Sequence, residues 1–152
     1  MKAPPPMTDT RVDPALSGSC VRVAQVTDTH LEERRGGTLL GMDTDASLAH
    51  VLDLLRGPLR PDLLLATGDL ANHGSEAAYV RVRESFDALG LPWFWLPGNH
   101  DAGPLMHGVI GRGRPMIRCV CVGAWQIVML DSTVAGQVGG NLGAAELALL
   151  DR

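Results

Sequence analysis

The stretch WFWLPGNHD, residues 93–101, carries the pattern from which the fold can be predicted. A short apolar run ends at a Pro-Gly break, because proline lacks an N–H donor and glycine tolerates backbone angles that other residues avoid. An amide, an imidazole and a carboxylate follow at Asn99, His100 and Asp101. Burying such groups without partners is costly, so their position indicates a site. A single Asn-His-Asp sequence is also an ordinary polar turn, and the hypothesis depends on recurrence.

The same pattern occurs twice earlier in the chain. The apolar run 21–26 is followed by Asp28 and His30, and the run 62–67 is followed by Asp69. These lengths are typical of strands, and the intervening segments have helical periodicity. Such units form parallel strands, whose carboxyl ends meet at the ligand-binding edge of an open α/β sheet. We therefore expect the following residues to lie together there: Asp28, His30, Asp69, Asn99 and His100.

Helices are predicted between these strands. Asp43 or Thr44 caps the first helix, in which apolar residues between Leu48 and Leu55 share one face. Ser75 caps the second helix. The buried face of this second helix is predicted to consist of Tyr79, Val82, Phe86 and Leu89.

The C-terminal part is predicted to contain a short helix within 105–110, a hairpin over 119–130 and a last helix from Ala144. Gly123 and Ala124 form a two-residue connection that suits a type II′ hairpin. The hairpin is apolar on both faces, so we expect it to need a second layer that the remaining chain does not supply.

Composition and charge narrow the classes of protein. With 152 residues and 45% hydrophobic residues, the chain suits one domain, which we assign to residues 20–152 after a flexible tail over 1–19. A net charge of −4 with a single lysine argues against nucleic-acid binding. No apolar run could span a membrane and no signal-peptide pattern is present, so we expect a cytoplasmic protein. The three cysteines are interpreted as small reduced core residues.

The residue types at the strand ends indicate a metal centre. Asp28 and His30 are two residues apart, so an extended backbone points both side chains the same way. Carboxylate, imidazole and amide ligands without thiolates suit Mn, Fe, Zn or Co. An aspartate from the middle strand, Asp69, can bridge two cations, which together promote in-line displacement at phosphorus. The chain lacks the GxxxxGK[ST] and GxSxG motifs, which excludes P-loop NTPases and α/β-hydrolase serine enzymes.

Three motifs in this order resemble the signature of the calcineurin-like metallophosphoesterases: Asp28-Thr29-His30, Gly68-Asp69 and Gly98-Asn99-His100-Asp101. Residues 41–48 and Leu130-Asp131-Ser132 are further similar to the bacterial class III cyclic-nucleotide phosphodiesterases. The resemblance covers residues 21–152. It implies an α/β fold, a metallophosphoesterase-type sandwich of mixed β-sheets flanked by helices.

The resemblance also implies a ligand set for two divalent metal ions. Asp28 and His30 would hold one ion, Asp69 would bridge both, and Asn99 would hold the second. Mn, Fe or Zn would suit these ligands. The implied function is that of a metal-dependent phosphoric ester hydrolase acting on a small-molecule substrate, most simply a 3',5'-cyclic nucleotide. Another phosphodiester or phosphomonoester hydrolase, or a non-catalytic metal-binding module, are the alternatives.

The resemblance implies that His100 acts in catalysis, as an acid or as a partner of the transition state, and that Asp101 orients it. Two further residues are candidates for substrate binding. His73 follows Asp69 closely and is either a turn residue or part of the site wall, and Arg112 belongs to a small basic cluster that could contact a phosphate.

The family also has later histidines, one after a further strand and two in a Gly-His-x-His motif. None of the histidines in this chain lies in such a context. We therefore expect the chain to hold the N-terminal part of the family domain, with metals short of ligands and with weak activity or none.

Overall fold

The computed structural model of the protein describes residues 9–12, 20–58, 60–110 and 116–151. These ranges contain, in chain order, β1 (Asp9–Val12), β2 (Val23–Val26), β3 (Thr38–Leu39), β4 (Met42–Asp43), α1 (Thr44–Leu54), β5 (Leu63–Thr67), α2 (Glu76–Asp87), β6 (Trp93–Leu96), α3 (Gly103–Ile110), β7 (Cys119–Val122), β8 (Trp125–Val128) and α4 (Ala144–Leu150).

A parallel sheet in the order β2-β5-β6 contains all three strands predicted from the repeated pattern. In its register Val26 lies beside Ala66, and Ala66 lies beside Trp95. The carboxyl ends of the three strands therefore reach the same edge of the sheet. This confirms the predicted strand–helix–strand–helix–strand arrangement.

The central strand β5 is apolar on both faces and joins two layers. Leu64 and Ala66 pack in one buried cluster with Leu52 of α1 and Phe86 of α2. Leu63, which points the other way, packs in a second cluster with β1, β7 and the residue after β8, through Val12, Val120, Val122 and Met129. Helices therefore cover one face of the parallel sheet and a second sheet covers the other, which confirms the predicted fold class.

The second sheet has the order β1-β7-β8, with β7 and β8 antiparallel and β1 parallel to β7. Its Val120 and Val122 pack against Leu63, with Phe94 and Leu96 of β6 alongside. The expectation that the hairpin lacks a second layer is therefore wrong. The parallel sheet is that layer, because alternate residues of β5 and β6 are apolar and face the hairpin.

The predicted tail over residues 1–19 needs a correction at β1. Asp9–Val12 pairs with Cys119–Val122 of β7, and the Val12 side chain is only 5% exposed. The segment was predicted to be a tail because Pro, Thr and Ser are frequent around it. The four-residue strand forms by pairing with a segment far along the chain. The rest of the predicted tail, residues 1–8 and 13–19, lies outside the described ranges, and the boundary of the domain stays a prediction.

The helices that flank the parallel sheet begin at the predicted positions. The carboxylate of Asp43 accepts a hydrogen bond from the Ala46 N–H at 2.9 Å and caps α1. In α2 the whole predicted face is buried: Tyr79, Val82, Phe86 and Leu89. Within the described ranges, no helix has both the length and the apolarity required to cross a membrane.

Two surface assignments differ from the predictions. Val51, assigned with Leu48, Leu52 and Leu55 to the buried face of α1, is 43% exposed. Leu48 and Leu52 are buried in the core cluster and Leu55 packs against it. Cys20, assigned to the core, is exposed because it precedes β2.

The helix α4 is fastened to the second sheet by Glu146. Its carboxylate pairs with the Arg118 guanidinium and accepts a hydrogen bond from the Asp131 N–H at 3.0 Å. Burial alone would raise the pKa of Glu146, but these two donors outweigh burial and lower it. The contact holds the segment after β8 close to the carboxyl edge of the parallel sheet, where Ser132 and Thr133 line a cavity.

We predict that Val12→Ala lowers the free energy of unfolding by about 2 kcal/mol, because two buried carbon atoms are lost from the cluster between the sheets. Val23→Ala is the matched control, since Val23 also lies in a strand but is 45% exposed. Its effect should stay within about 0.5 kcal/mol. Denaturant unfolding of both variants is the measurement, and an equally small change for Val12→Ala would contradict the pairing of β1 with β7.

Candidate metal centre

Three side chains that follow β2 and β5 form a cluster at the carboxyl edge of the parallel sheet. One ligand atom from each of Asp28, His30 and Asp69 lies within 4.8 Å of the others. His30 Nε2 is 3.7 Å from Asp28 Oδ1 and 4.0 Å from Asp69 Oδ2. The parallel register thus brings these predicted ligands together from two different strand ends.

All three residues have left-handed backbone angles, which differ from the extended backbone expected for Asp28 and His30. Their φ values are +55° for Asp28, +44° for His30 and +52° for Asp69. Such angles cost about 1–2 kcal/mol for residues other than glycine. Hydrogen bonds between the two turns hold them, from Asp28 N to Gly68 O at 3.0 Å and from His30 N to Asp69 O at 2.9 Å. Local strain at functional residues is common where the surroundings fix it.

The turns after β5 and β6 approach each other at two glycines. A Cβ atom at residue 68 would lie 2.9 Å from Gly98 Cα, and one at residue 98 would overlap Asp69 Oδ1 and its backbone nitrogen. Gly98 is therefore required for space. The predicted need for an unusual backbone angle is wrong for Gly98, since its φ lies outside the left-handed region. Gly68, in contrast, has φ +101°.

Asn99 and His100 follow β6 and lie beside this cluster. Asn99 lines a cavity of about 200 Å³ together with Asp28 and Asp69. The His100 backbone N–H donates to Asp69 Oδ1 at 2.9 Å. The His100 ring meets the His30 ring edge-on, with centroids 4.8 Å apart. All five residues expected at the edge of the sheet therefore lie there.

The His100 ring is oriented by Asn72, a residue outside the three motifs. Nδ1 of His100 lies 2.9 Å from the Asn72 carbonyl oxygen. Because a carbonyl only accepts, Nδ1 carries the proton of this bond and Nε2 stays available. Asn72 is buried, and its side-chain amide donates to Glu32 Oε1 at 2.7 Å. Its place three residues after Asp69 was the only signal in the sequence.

Asp101 does not make the expected contact with the His100 ring. Its carboxylate accepts hydrogen bonds from the N–H groups of Leu70, Ala71 and Gly98 and from the Tyr79 hydroxyl, at 2.9–3.1 Å. The carboxylate is therefore directed towards the turns after β5 and β6, which carry Asp69 and Asn99.

Of the two substrate-binding candidates, His73 is described and lies outside the cluster of Asp28, His30 and Asp69. His73 is exposed, and its Nε2 lies 3.3 Å from the Asn72 side-chain nitrogen. Arg112, with the basic cluster around it, lies outside the described residues.

The cluster fits a divalent cation. The distances from His30 Nε2 to the two carboxylates are too long for hydrogen bonds. They suit ligands of one cation, since atoms about 2.0–2.2 Å from a shared ion lie about 3–4 Å apart. Nδ1 of His30 is buried without a hydrogen-bond partner among the described residues, and the side chain is only 14% exposed. A largely buried imidazole whose Nε2 lies between two carboxylates at these distances is the arrangement that a shared cation would stabilise.

Comparison with known proteins agrees with the family resemblance of the three motifs. The family described as calcineurin-like phosphoesterase matches residues 21–140. The 3',5'-cyclic adenosine monophosphate phosphodiesterase CpdA of Escherichia coli (strain K12) is 39% identical over 142 residues, covering 91% of this chain and 52% of the relative.

The protein of the same name from Pseudomonas aeruginosa is 40% identical, with 91% and 51% covered. A 3',5'-cyclic-nucleotide phosphodiesterase of Nostoc sp. (strain PCC 7120) is 36% identical, with 86% and 50% covered. The chain therefore spans about half the length of the curated relatives it matches.

We predict that Asp69→Asn weakens Mn²⁺ binding more than tenfold without lowering the melting temperature of the metal-free chain. Asparagine tolerates a left-handed backbone, and its amide oxygen can still accept from His100 N–H. Asp69→Ala should weaken binding as much and also destabilise the chain by about 1–2 kcal/mol, because alanine resists that backbone angle. Isothermal titration calorimetry and thermal unfolding are the measurements. Unchanged Mn²⁺ binding in both variants would exclude Asp69 as a ligand.

Proposed function

We propose that this chain, which belongs to the calcineurin-like phosphoesterase family, is a metal-dependent hydrolase of phosphoric esters, with 3',5'-cyclic nucleotides as its substrate class. The observation that carries the proposal is the cluster of Asp28, His30 and Asp69 within 4.8 Å, with the His100 ring against His30. The names of the relatives support the substrate class, since each is a cyclic-nucleotide phosphodiesterase.

We assign the metal ligands as follows. Asp28, His30 and Asp69 would hold one divalent ion, and Asp69 and Asn99 would hold a second. Mn, Fe and Zn are the metals that suit carboxylate, imidazole and amide ligands together. When bound, divalent ions supply positive charge that polarises the phosphoryl group and makes water a better nucleophile. Two carboxylates at one edge of the sheet also attract cations to the site.

His100 is assigned to proton transfer. Its Nδ1–H is engaged by the Asn72 carbonyl, so Nε2 is the nitrogen that can carry a proton to the substrate. In the hydrolysis of a cyclic diester, water adds to phosphorus, one P–O bond breaks and the leaving oxygen takes a proton. A protonated His100 can supply that proton, and its backbone N–H, bound to Asp69, keeps the ring beside the metal ligands.

Asp101 is assigned to positioning, in place of the orienting role implied by the resemblance. Its carboxylate accepts hydrogen bonds from N–H groups in the turns after β5 and β6. It makes no described contact with the His100 ring. Asn72 takes the orienting role, through its backbone carbonyl. His73 stays a candidate for contact with the substrate because it is exposed next to Asn72.

The test is hydrolysis of bis(p-nitrophenyl) phosphate, p-nitrophenyl phosphate and cyclic AMP by the metal-free chain after addition of Mn²⁺. We expect turnover of the diesters that disappears with chelator and returns with metal. Turnover of the monoester alone would replace the proposed substrate class with phosphomonoesters. Mn²⁺ binding without turnover of any of the three would leave a non-catalytic metal-binding module.

We predict that His100→Ala lowers kcat on the chromogenic diester on the order of 10²-fold or more, because a positioned proton donor contributes about 10²–10⁴-fold. The metal content should stay unchanged, since His100 is not in the assigned ligand set. His50→Ala is the matched control, because His50 is exposed on α1. The kcat of this variant should equal that of the unmodified chain. Activity of His100→Ala within a few-fold of this control would refute the assignment.

A further inference from the structure

We propose that Tyr79, in α2 and outside all three motifs, is a positioning residue of the metal centre. Acting through Asp101, it holds the turn after β5 against the turn after β6 and thereby raises the affinity for the metal. This inference rests on the proposed metal centre.

The Tyr79 hydroxyl joins two residues that follow His100. It donates a hydrogen bond to Asp101 Oδ1 at 3.0 Å and accepts one from the Ala102 N–H at 2.7 Å. The side chain is completely buried. Burial raises the pKa of the phenol, an effect that the Asp101 charge increases and the Ala102 hydrogen bond partly offsets. The group therefore stays a neutral hydroxyl that can donate to Asp101.

Asp101 connects this hydroxyl to two of the three turns that carry the assigned ligands. In the turn after β5 it accepts from the N–H groups of Leu70 and Ala71, which directly follow Asp69. In the turn after β6 it accepts from the Gly98 N–H, which directly precedes Asn99. The carboxylate is thus a link between a ligand from one strand end and a ligand from the next.

Tyr79 is the side-chain donor to this link among the described contacts, since the other three donors are backbone groups. Without its hydroxyl, Asp101 keeps its backbone bonds, but nothing described fixes the carboxylate from the side of α2. Ala102 N–H also loses its described partner at the start of α3. Both losses loosen the turn that contains Asn99 and His100, because side-chain hydrogen bonds around a metal site orient the ligands.

The ring of Tyr79 has a separate role in the core, which the experiment must keep constant. It packs edge-on against Trp95, with centroids 6.2 Å apart, and belongs to the cluster under the helices. Tyr79→Phe retains the ring and removes only the hydroxyl. Phe86→Leu is the matched control, because Phe86 is fully buried on the same face of α2 and its described ring contact is Trp93.

We predict that Tyr79→Phe weakens Mn²⁺ binding about tenfold. This is the lower end of the loss, about 10–100-fold, that follows when a residue supporting metal ligands is changed. Isothermal titration calorimetry on the whole chain is the measurement. Phe86→Leu should lower the melting temperature of the chain at least as much as Tyr79→Phe does, and should leave the Mn²⁺ affinity unchanged. Equal affinity losses in the two variants would overturn the inference, because the loss would then follow stability alone.

Amide hydrogen exchange of the metal-free chain gives a second readout. The N–H groups of Leu70, Ala71, Gly98 and Ala102 should exchange faster in Tyr79→Phe than in Phe86→Leu. Exchange rates or affinities equal to those of the unmodified chain would overturn the role of Tyr79. Absence of Mn²⁺ binding by the unmodified chain would instead overturn the proposed metal centre, and this inference with it.

Discussion

The close approach of the turns after β5 and β6 is the constraint on which the site depends. The backbones meet at Gly68 and Gly98, where a side chain on either residue would collide with the other turn. This contact puts the Asp69 carboxylate under the His100 backbone N–H and sets Asn99 on the same cavity. The two glycines therefore bring the turn that carries Asn99 and His100 against the turn that carries Asp69.

Local strain and hydrogen bonding balance each other around the cluster. The backbones of Asp28, His30 and Asp69 occupy left-handed angles, which are uncommon outside glycine although Asp and His adopt them more often than most residues. Backbone hydrogen bonds between the turns, together with the Asp101 carboxylate, hold these angles in place. The side chains of Asp28, His30 and Asp69 are consequently positioned by the fold itself, without a bound cation. Preorganisation of this kind reduces the ordering that binding would otherwise require.

Much of the fold and of the site was predictable from local pattern. Each apolar run closed by polar residues gave a parallel strand, and the shared edge followed from the topology of such units. The pattern could not reveal β1, because four residues in a Pro-rich and Ser-rich segment pair only with a distant strand. The family resemblance assigned Asp101 to His100, whereas the described hydrogen bond of that ring is to the Asn72 carbonyl. Neighbours in sequence are poor guides to partners across a turn.

The sequence by itself determined the strand–helix repeat, the apolar faces and the types of ligand at each strand end, because periodicity and residue chemistry are local properties. Only the tertiary structure decided which side chains meet. It turned Asp101 towards Leu70 and Gly98, brought Tyr79 beneath that carboxylate, and laid the hairpin on the apolar face of β5. Those outcomes depend on distances between turns and layers, which arise only when remote segments pack together.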